Sequence, residues 1–271
     1  MSVLRKMTDE TFAVNVIALS TMRSYTGKLE SLASLLFAMR PSISPFWAAL
    51  HADQGDAPTN CMWTSRVSDS LRWIRAFFHM QYPGPLVRLF TLEAYMNKGI
   101  RVRITCDASP WGIGGFLTID GKIVAYFWDA ISPEDQETLK VAAGDSRGQQ
   151  CWECLAVLVA VKLWLPHWCT RRVRLAVRTD NMTTLAMARK LRAKGPGLTL
   201  LSQELALVVA QASYEPDVCE HTPGIQNGVA DTLSRKYEPG KPWRLPELLQ
   251  DAEAQLPPRR TSKWWKVLAP P

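Results

Sequence analysis

The chain changes its hydrophobic rhythm near residue 100. Before that point apolar positions recur at helical spacing. From Ser24 to Met39, the residues Leu29, Leu32, Ala33, Leu35, Leu36 and Met39 form a wide stripe, which Pro41 and Pro45 are expected to stop. Ser65 to Met80 repeats the pattern with Val67, Leu71, Ile74, Phe77 and Phe78, and Pro83 and Pro85 close it. Glu93 to Asn97 reads as a helix end, with Gly99 as the break. Residues 1–98 are therefore expected to be a mainly helical segment.

Beyond residue 100 the period drops to two. Ile100 to Cys106 alternates apolar and polar groups, as a half-buried strand does. A bend at Pro110 follows, then Gly112, Gly114 and Gly115. Phe116 to Ile119 and Ile123 to Trp128 flank Asp120-Gly121, a hairpin dipeptide. Gln149 to Trp164 is apolar almost all round, which predicts a buried helix ending at Pro166. Val173 to Thr179 is a fourth strand. Thr183 to Leu191 and Leu198 to Gln211 are helices separated by Gly195-Pro196-Gly197. Ala212 to Cys219 is the fifth strand, and Asn227 to Arg235 a short final helix. The order predicts, for residues 99–236, an α/β domain: a five-stranded mixed sheet flanked by helices.

The remainder, residues 237–271, holds seven prolines, with Arg259, Arg260, Lys263 and Lys266 around Trp264-Trp265. Proline and charge together predict a basic tail that does not pack. No internal repeat is visible.

Composition adds bounds rather than a function. The chain is 47% hydrophobic and 21% charged, enough to bury a core. The net charge of +7 is spread thinly: residues 101–235 carry fifteen basic and fourteen acidic groups. Contact with a polyanion and a merely solvated basic surface fit this about equally. Six cysteines sit mostly inside apolar runs, which suits buried, reduced thiols. Cys151 and Cys154 lie at one end of the long helix, His167 and Cys169 beyond the other, too far apart for a tetrahedral zinc site. There is no signal-peptide pattern, and Leu155 to Leu165 is too short to span a bilayer and contains Lys162. The expectation is a soluble intracellular protein without a membrane partner, with cytoplasm and nucleus both open.

Four acids stand out by position. Asp107 and Asp180 end strands, Glu153 lies early in the long helix, and Asp231 sits in the last one. Each alone has an ordinary explanation as a cap or turn residue; for Asp180, just before a helix, an N-cap role is plausible. Jointly, carboxylates of this kind are able to hold divalent cations.

Their order, and the text around them, resembles the ribonuclease H domain of retrotransposon reverse transcriptases of the gypsy-like and DIRS-like kinds. The residues that carry the resemblance are Thr105-Cys-Asp107-Ala-Ser-Pro-Trp-Gly-Ile-Gly-Gly, Thr179-Asp180-Asn and His221-Thr-Pro-Gly-Ile-Gln-Asn227-Gly-Val-Ala-Asp231-Thr-Leu-Ser-Arg235. The resemblance implies metal-dependent hydrolysis of the RNA strand of an RNA–DNA hybrid. It implies two Mg²⁺ ions, with Mn²⁺ able to substitute: Asp107 bridging them, Glu153 and Asp180 on one, Asp231 on the other. It gives His221 a proton-transfer and product-release role, beside the alternative of an ordinary loop histidine. It extends substrate contact to Ser109, Gly112, Gly114, Asn181, Asn227, Arg189 and Lys190. For Asn227 a structural role stands beside that contact, for Gly112 and Gly114 hairpin geometry, and for Arg189, Lys190, Arg192 and Lys194 a solvated helix end.

Residues 22–47 bear a weaker likeness to the thumb and connection region of a DIRS-like reverse transcriptase. No Tyr-x-Asp-Asp motif of a polymerase palm occurs. The chain thus reads as the C-terminal part of a longer polyprotein with an upstream polymerase domain as partner, or as a relic with its own start. The alternative to an enzyme is a non-catalytic nucleic-acid-binding remnant.

Overall fold

The computed structural model describes residues 2–36, 39–79, 96, 100–168, 173–191, 193, 195–211, 216–221 and 227–268. They divide into two compact units, one within Met1–Pro85 and Trp265–Pro271, the other within Leu86–Trp264.

The first unit contains α1 (Ser2–Phe12), β1 (Val16–Ala18), α2 (Leu19–Ala33), α3 (Arg40–His51), β2 (Cys61–Trp63) and α4 (Ser68–His79). β1 and β2 pair antiparallel. Met22, Tyr25 and Leu29 of α2, Phe46 of α3, and Trp73, Ile74 and Phe77 of α4 are buried. The prolines expected to stop the first helix instead lie in the next one. Pro41 occupies the first turn of α3, where a missing N–H removes no helical bond. Pro45 sits inside the helix, and Ser44 Oγ donates to Pro41 O at 3.4 Å, the carbonyl its missing N–H would have served. The segment expected to end at Pro83 and Pro85, and the helix end at Glu93 to Asn97, lie outside the described residues apart from Met96.

The second unit carries the predicted α/β architecture. Its elements are β3 (Arg101–Ala108), β4 (Gly112–Ile119), β5 (Lys122–Ala130), α5 (Pro133–Leu139), α6 (Gln149–Leu163), β6 (Arg174–Thr179), α7 (Met182–Lys190), α8 (Pro196–Gln211), β7 (Pro216–His221), α9 (Gly228–Ser234) and β8 (Glu253–Ala254). The sheet order is β7-β6-β3-β4-β5-β8. β3, β4 and β5 form an antiparallel meander, and β6 and β7 add parallel on the other side of β3. The β4–β5 turn has Asp120 and Gly121 at φ of 47° and 89°, the left-handed pair that such a two-residue hairpin needs. α6 is buried continuously from Cys151 to Val161, as its unbroken apolar run predicts.

Two features depart from expectation. α5 went unpredicted, although its capping box is local: Ser132 Oγ accepts from Asp135 N–H at 3.1 Å while Asp135 accepts from Ser132 N–H at 2.9 Å. The tail, expected not to pack, does so. β8 adds parallel to β5 as a two-residue sixth strand. Leu249 is buried with Tyr126 and Leu233, and Trp243 and Leu245 pack against them. Arg260 is buried as well, forking onto Asp135 at 2.7 and 2.8 Å and reaching Asp129 at 2.6 Å. A few large anchors outweigh an unfavourable average composition.

Candidate metal centre

Sheet topology gathers the acids. β3 and β6 are parallel neighbours with Thr105 opposite Arg178, so two residues further on Asp107 and Asp180 leave adjacent strand ends. α6 packs over β3 and β4 and brings Glu153 to the same place. Asp107, Glu153 and Asp180 each offer a carboxylate oxygen within 4.8 Å of the others.

The surroundings of two of these acids are dry. Asp107 and Glu153 are each 4% exposed. Burial, then the Asp180 charge, pushes the Asp107 carboxyl up to about 7. Burial, then Asp107, pushes Glu153 up to about 9. Few protein groups offset this. Asn227 Nδ2 donates to Asp107 Oδ1 at 3.3 Å, and Ser234 Oγ donates to Asp107 Oδ2 at 3.0 Å. Gln149 Nε2 donates to Glu153 Oε1 at 3.0 Å and also bonds Ala108 O. Glu153 Oε2 and Asn227 Oδ1 are buried with no hydrogen-bond partner. Unpartnered buried oxygens beside clustered carboxylates are costly to leave in that state. An oxygen-only donor set of this charge fits a hard divalent cation. Asp107, Glu153 and Asp180 would hold it.

The remaining expected residues fall into distinct places. Asp231 lies on α9, half exposed, and Arg235 Nε donates to its Oδ1 at 2.7 Å. Its charge still reaches Asp107, raising that carboxyl's pKa, but its carboxylate is not in the three-acid group. His221 ends β7 opposite Thr179; its side chain lies outside the described part of the structure, as do residues 222–226. Asn181, not Asp180, caps α7: its Oδ1 accepts from the N–H groups of Thr183 and Thr184 at 2.9 and 3.1 Å. That leaves the Asp180 carboxylate to the acid group. Arg189 and Lys190 are exposed in the last turn of α7, where the helix dipole favours cations; Arg192 and Lys194 lie outside the described residues.

Four expected substrate contacts turn out to be internal. Ser109 is 1% exposed, and its hydroxyl donates to Ser234 O at 2.8 Å. A Cβ on Gly114 would stand 2.5 Å from Leu233 Cβ, and one on Gly112 would stand 2.8 Å from Ser234 O. These glycines admit α9, not a nucleic-acid backbone. Asn227, 2% exposed, faces inward onto Asp107.

Gln149 and Ser234 were missed as supports of the acids. Gln149 lies four residues before Glu153, one turn away on the same helix face, and that spacing was a usable signal. Ser234 lies 127 residues from Asp107, and no local pattern connects them.

No protein family's sequence profile matches the chain, and neither does any curated protein sequence. Among the described residues no helix is long and apolar enough to cross a membrane.

Proposed function

We propose that the chain is a metal-dependent nuclease that hydrolyses the RNA strand of RNA–DNA hybrids, as the resemblance to ribonuclease H implies. One observation carries this reading: three carboxylates from two adjacent parallel strand ends and one buried helix lie within 4.8 Å of one another. Asp107, Glu153 and Asp180 would hold one cation, and Asp107 with Asp231 a second. When bound, the cations supply an activated water and a counter-charge for the leaving 3′ oxygen. Asn227 and Ser234 hold the Asp107 carboxylate by both oxygens, and Gln149 holds Glu153. His221, the last residue of β7, is the candidate for moving a proton.

The pairing of Asp231 with Arg235 favours a second reading, in which the chain binds nucleic acid without cutting it. One experiment separates the two. The purified chain is offered labelled RNA–DNA hybrid, duplex DNA and duplex RNA, with Mg²⁺, Mn²⁺ or EDTA. The expected result is cation-dependent cleavage of the hybrid's RNA strand, abolished by Asp107→Asn. Binding without cleavage selects the second reading, and cleavage of duplex DNA refutes both.

A further inference from the structure

α9 has seven residues, about two turns, and carries Asp231 and Ser234. Isolated helices shorter than about 12 residues are marginal in water. α9 therefore depends on what holds it. Its floor is β4, where Gly112 and Gly114 let it settle against the strand backbone. Its roof is the chain that follows it. Val229 and Leu233 pack with Trp243, Leu245, Leu249 and Ala252 in one apolar cluster.

The roof also supplies a specific bond. A helix end leaves carbonyls without helical donors. At the end of α9 the N–H groups of Arg235 and Lys236 go to Asp231 O and Leu233 O, at 3.1 and 3.4 Å. The carbonyl between them, Thr232 O, accepts from Trp243 Nε1 at 2.7 Å. Lys236 Nζ lies 3.6 Å from the ring centre of Trp128 and 4.8 Å from that of Trp243, tying the same helix end to β5. Further on, Gln255 N–H donates to Tyr126 O at 2.8 Å, and Trp164 Nε1 donates to Gln255 Oε1 at 2.9 Å. The buried Arg260 then fastens the segment to Asp135 and Asp129.

We infer that residues 243–260 form a strap that positions α9, with Trp243 as its positioning residue: the indole caps the helix whose Ser234 orients Asp107 of the acid group. A tail whose composition reads as dispensable is thereby part of the site. The activity arm of this inference rests on the proposed hybrid cleavage; the structural arms do not.

The test uses the full chain with Trp243→Phe, which keeps a ring and removes the N–H donor. Leu248→Ser, at a strap position 71% exposed, is the control. Three quantities are measured: amide hydrogen exchange across α9, Mn²⁺ affinity by electron paramagnetic resonance, and kcat and KM for the hybrid. Loss of one neutral hydrogen bond shifts a local equilibrium roughly fivefold. Trp243→Phe is therefore expected to speed α9 exchange and weaken Mn²⁺ binding by about that factor. It should lower kcat, leave KM unchanged, and spare exchange in β3 and α6. Unchanged α9 exchange, or faster exchange everywhere alike, overturns the inference. If the parent chain cuts no hybrid, the cleavage reading fails, while α9 exchange still decides the role of Trp243.

Discussion

Replacing Gly114 by Ala should disturb the acid group through a helix that Gly114 never contacts covalently. The new Cβ would lie 2.5 Å from Leu233 Cβ, 2.6 Å from Ser234 N and 2.8 Å from Leu233 C. Comfortable carbon–carbon contact needs about 3.5–4.0 Å. The opposing atoms are backbone and Cβ, which no rotamer change can move. α9 must lift by roughly 1 Å, and overpacking of this kind costs about 1–3 kcal/mol. The same lift stretches the 3.0 Å Ser234–Asp107 bond to about 4 Å, beyond hydrogen-bonding range. That loss adds on the order of 1 kcal/mol. Urea unfolding followed by tryptophan fluorescence should show Gly114→Ala less stable by about 2–4 kcal/mol. Mn²⁺ binding should weaken in parallel. The control is Gly228→Ala in the same helix, whose Cβ would meet nothing within 4 Å. It should be neutral or stabilising by up to about 1 kcal/mol. A Gly114→Ala protein as stable as its parent, with Mn²⁺ affinity intact, would refute the account of β4 as the floor of α9.

Further outcomes follow from the same geometry. Asp107 and Glu153 hold their protons in the folded chain to about 7 and about 9, against ordinary values near 4. The folded chain then binds more protons than the unfolded one between pH about 4 and about 9, so without divalent cations the urea midpoint should fall as pH rises through that window. Added Mg²⁺ should flatten the profile, and a flat profile in EDTA would contradict the burial argument. Arg260→Met strands Asp135, which is 0% exposed, without its guanidinium partner; a loss of about 3–5 kcal/mol is expected in the same unfolding assay. Asp231→Asn should cut hybrid cleavage by about a hundredfold or more. It should leave the urea midpoint almost unmoved, because an exposed ion pair one turn apart contributes little.

Much of the second unit was legible because its signals are local. The Asp120-Gly121 hairpin, the alternating β3 and the apolar α6 each announce themselves within a dozen residues. The four acids were legible only as positions in an order of elements. The sequence left Asp180 open between a helix cap and a place among the acids: Asp180 and Asn181 are both good caps on paper, and the folded backbone puts Asn181 in the cap position. Pro41 and Pro45 read as stops because proline breaks helices. They are accommodated in α3 because one lies in the first turn and a serine hydroxyl reaches the carbonyl left by the other. Gly112 and Gly114 were misread because the atoms that require them belong to a helix more than a hundred residues away.

By itself the sequence determined the rhythm of strands and helices, the hairpin chemistry and the residue types at strand ends, all of which depend on neighbours along the chain. The tertiary structure decided which of those residues meet. Parallel pairing of β3 with β6 sets Asp107 beside Asp180, burial raises the pKa of the Asp107 carboxyl, and the glycine floor and tryptophan roof place α9. Those outcomes depend on contacts between segments distant in sequence, where shape and desolvation, not local propensity, set the energy.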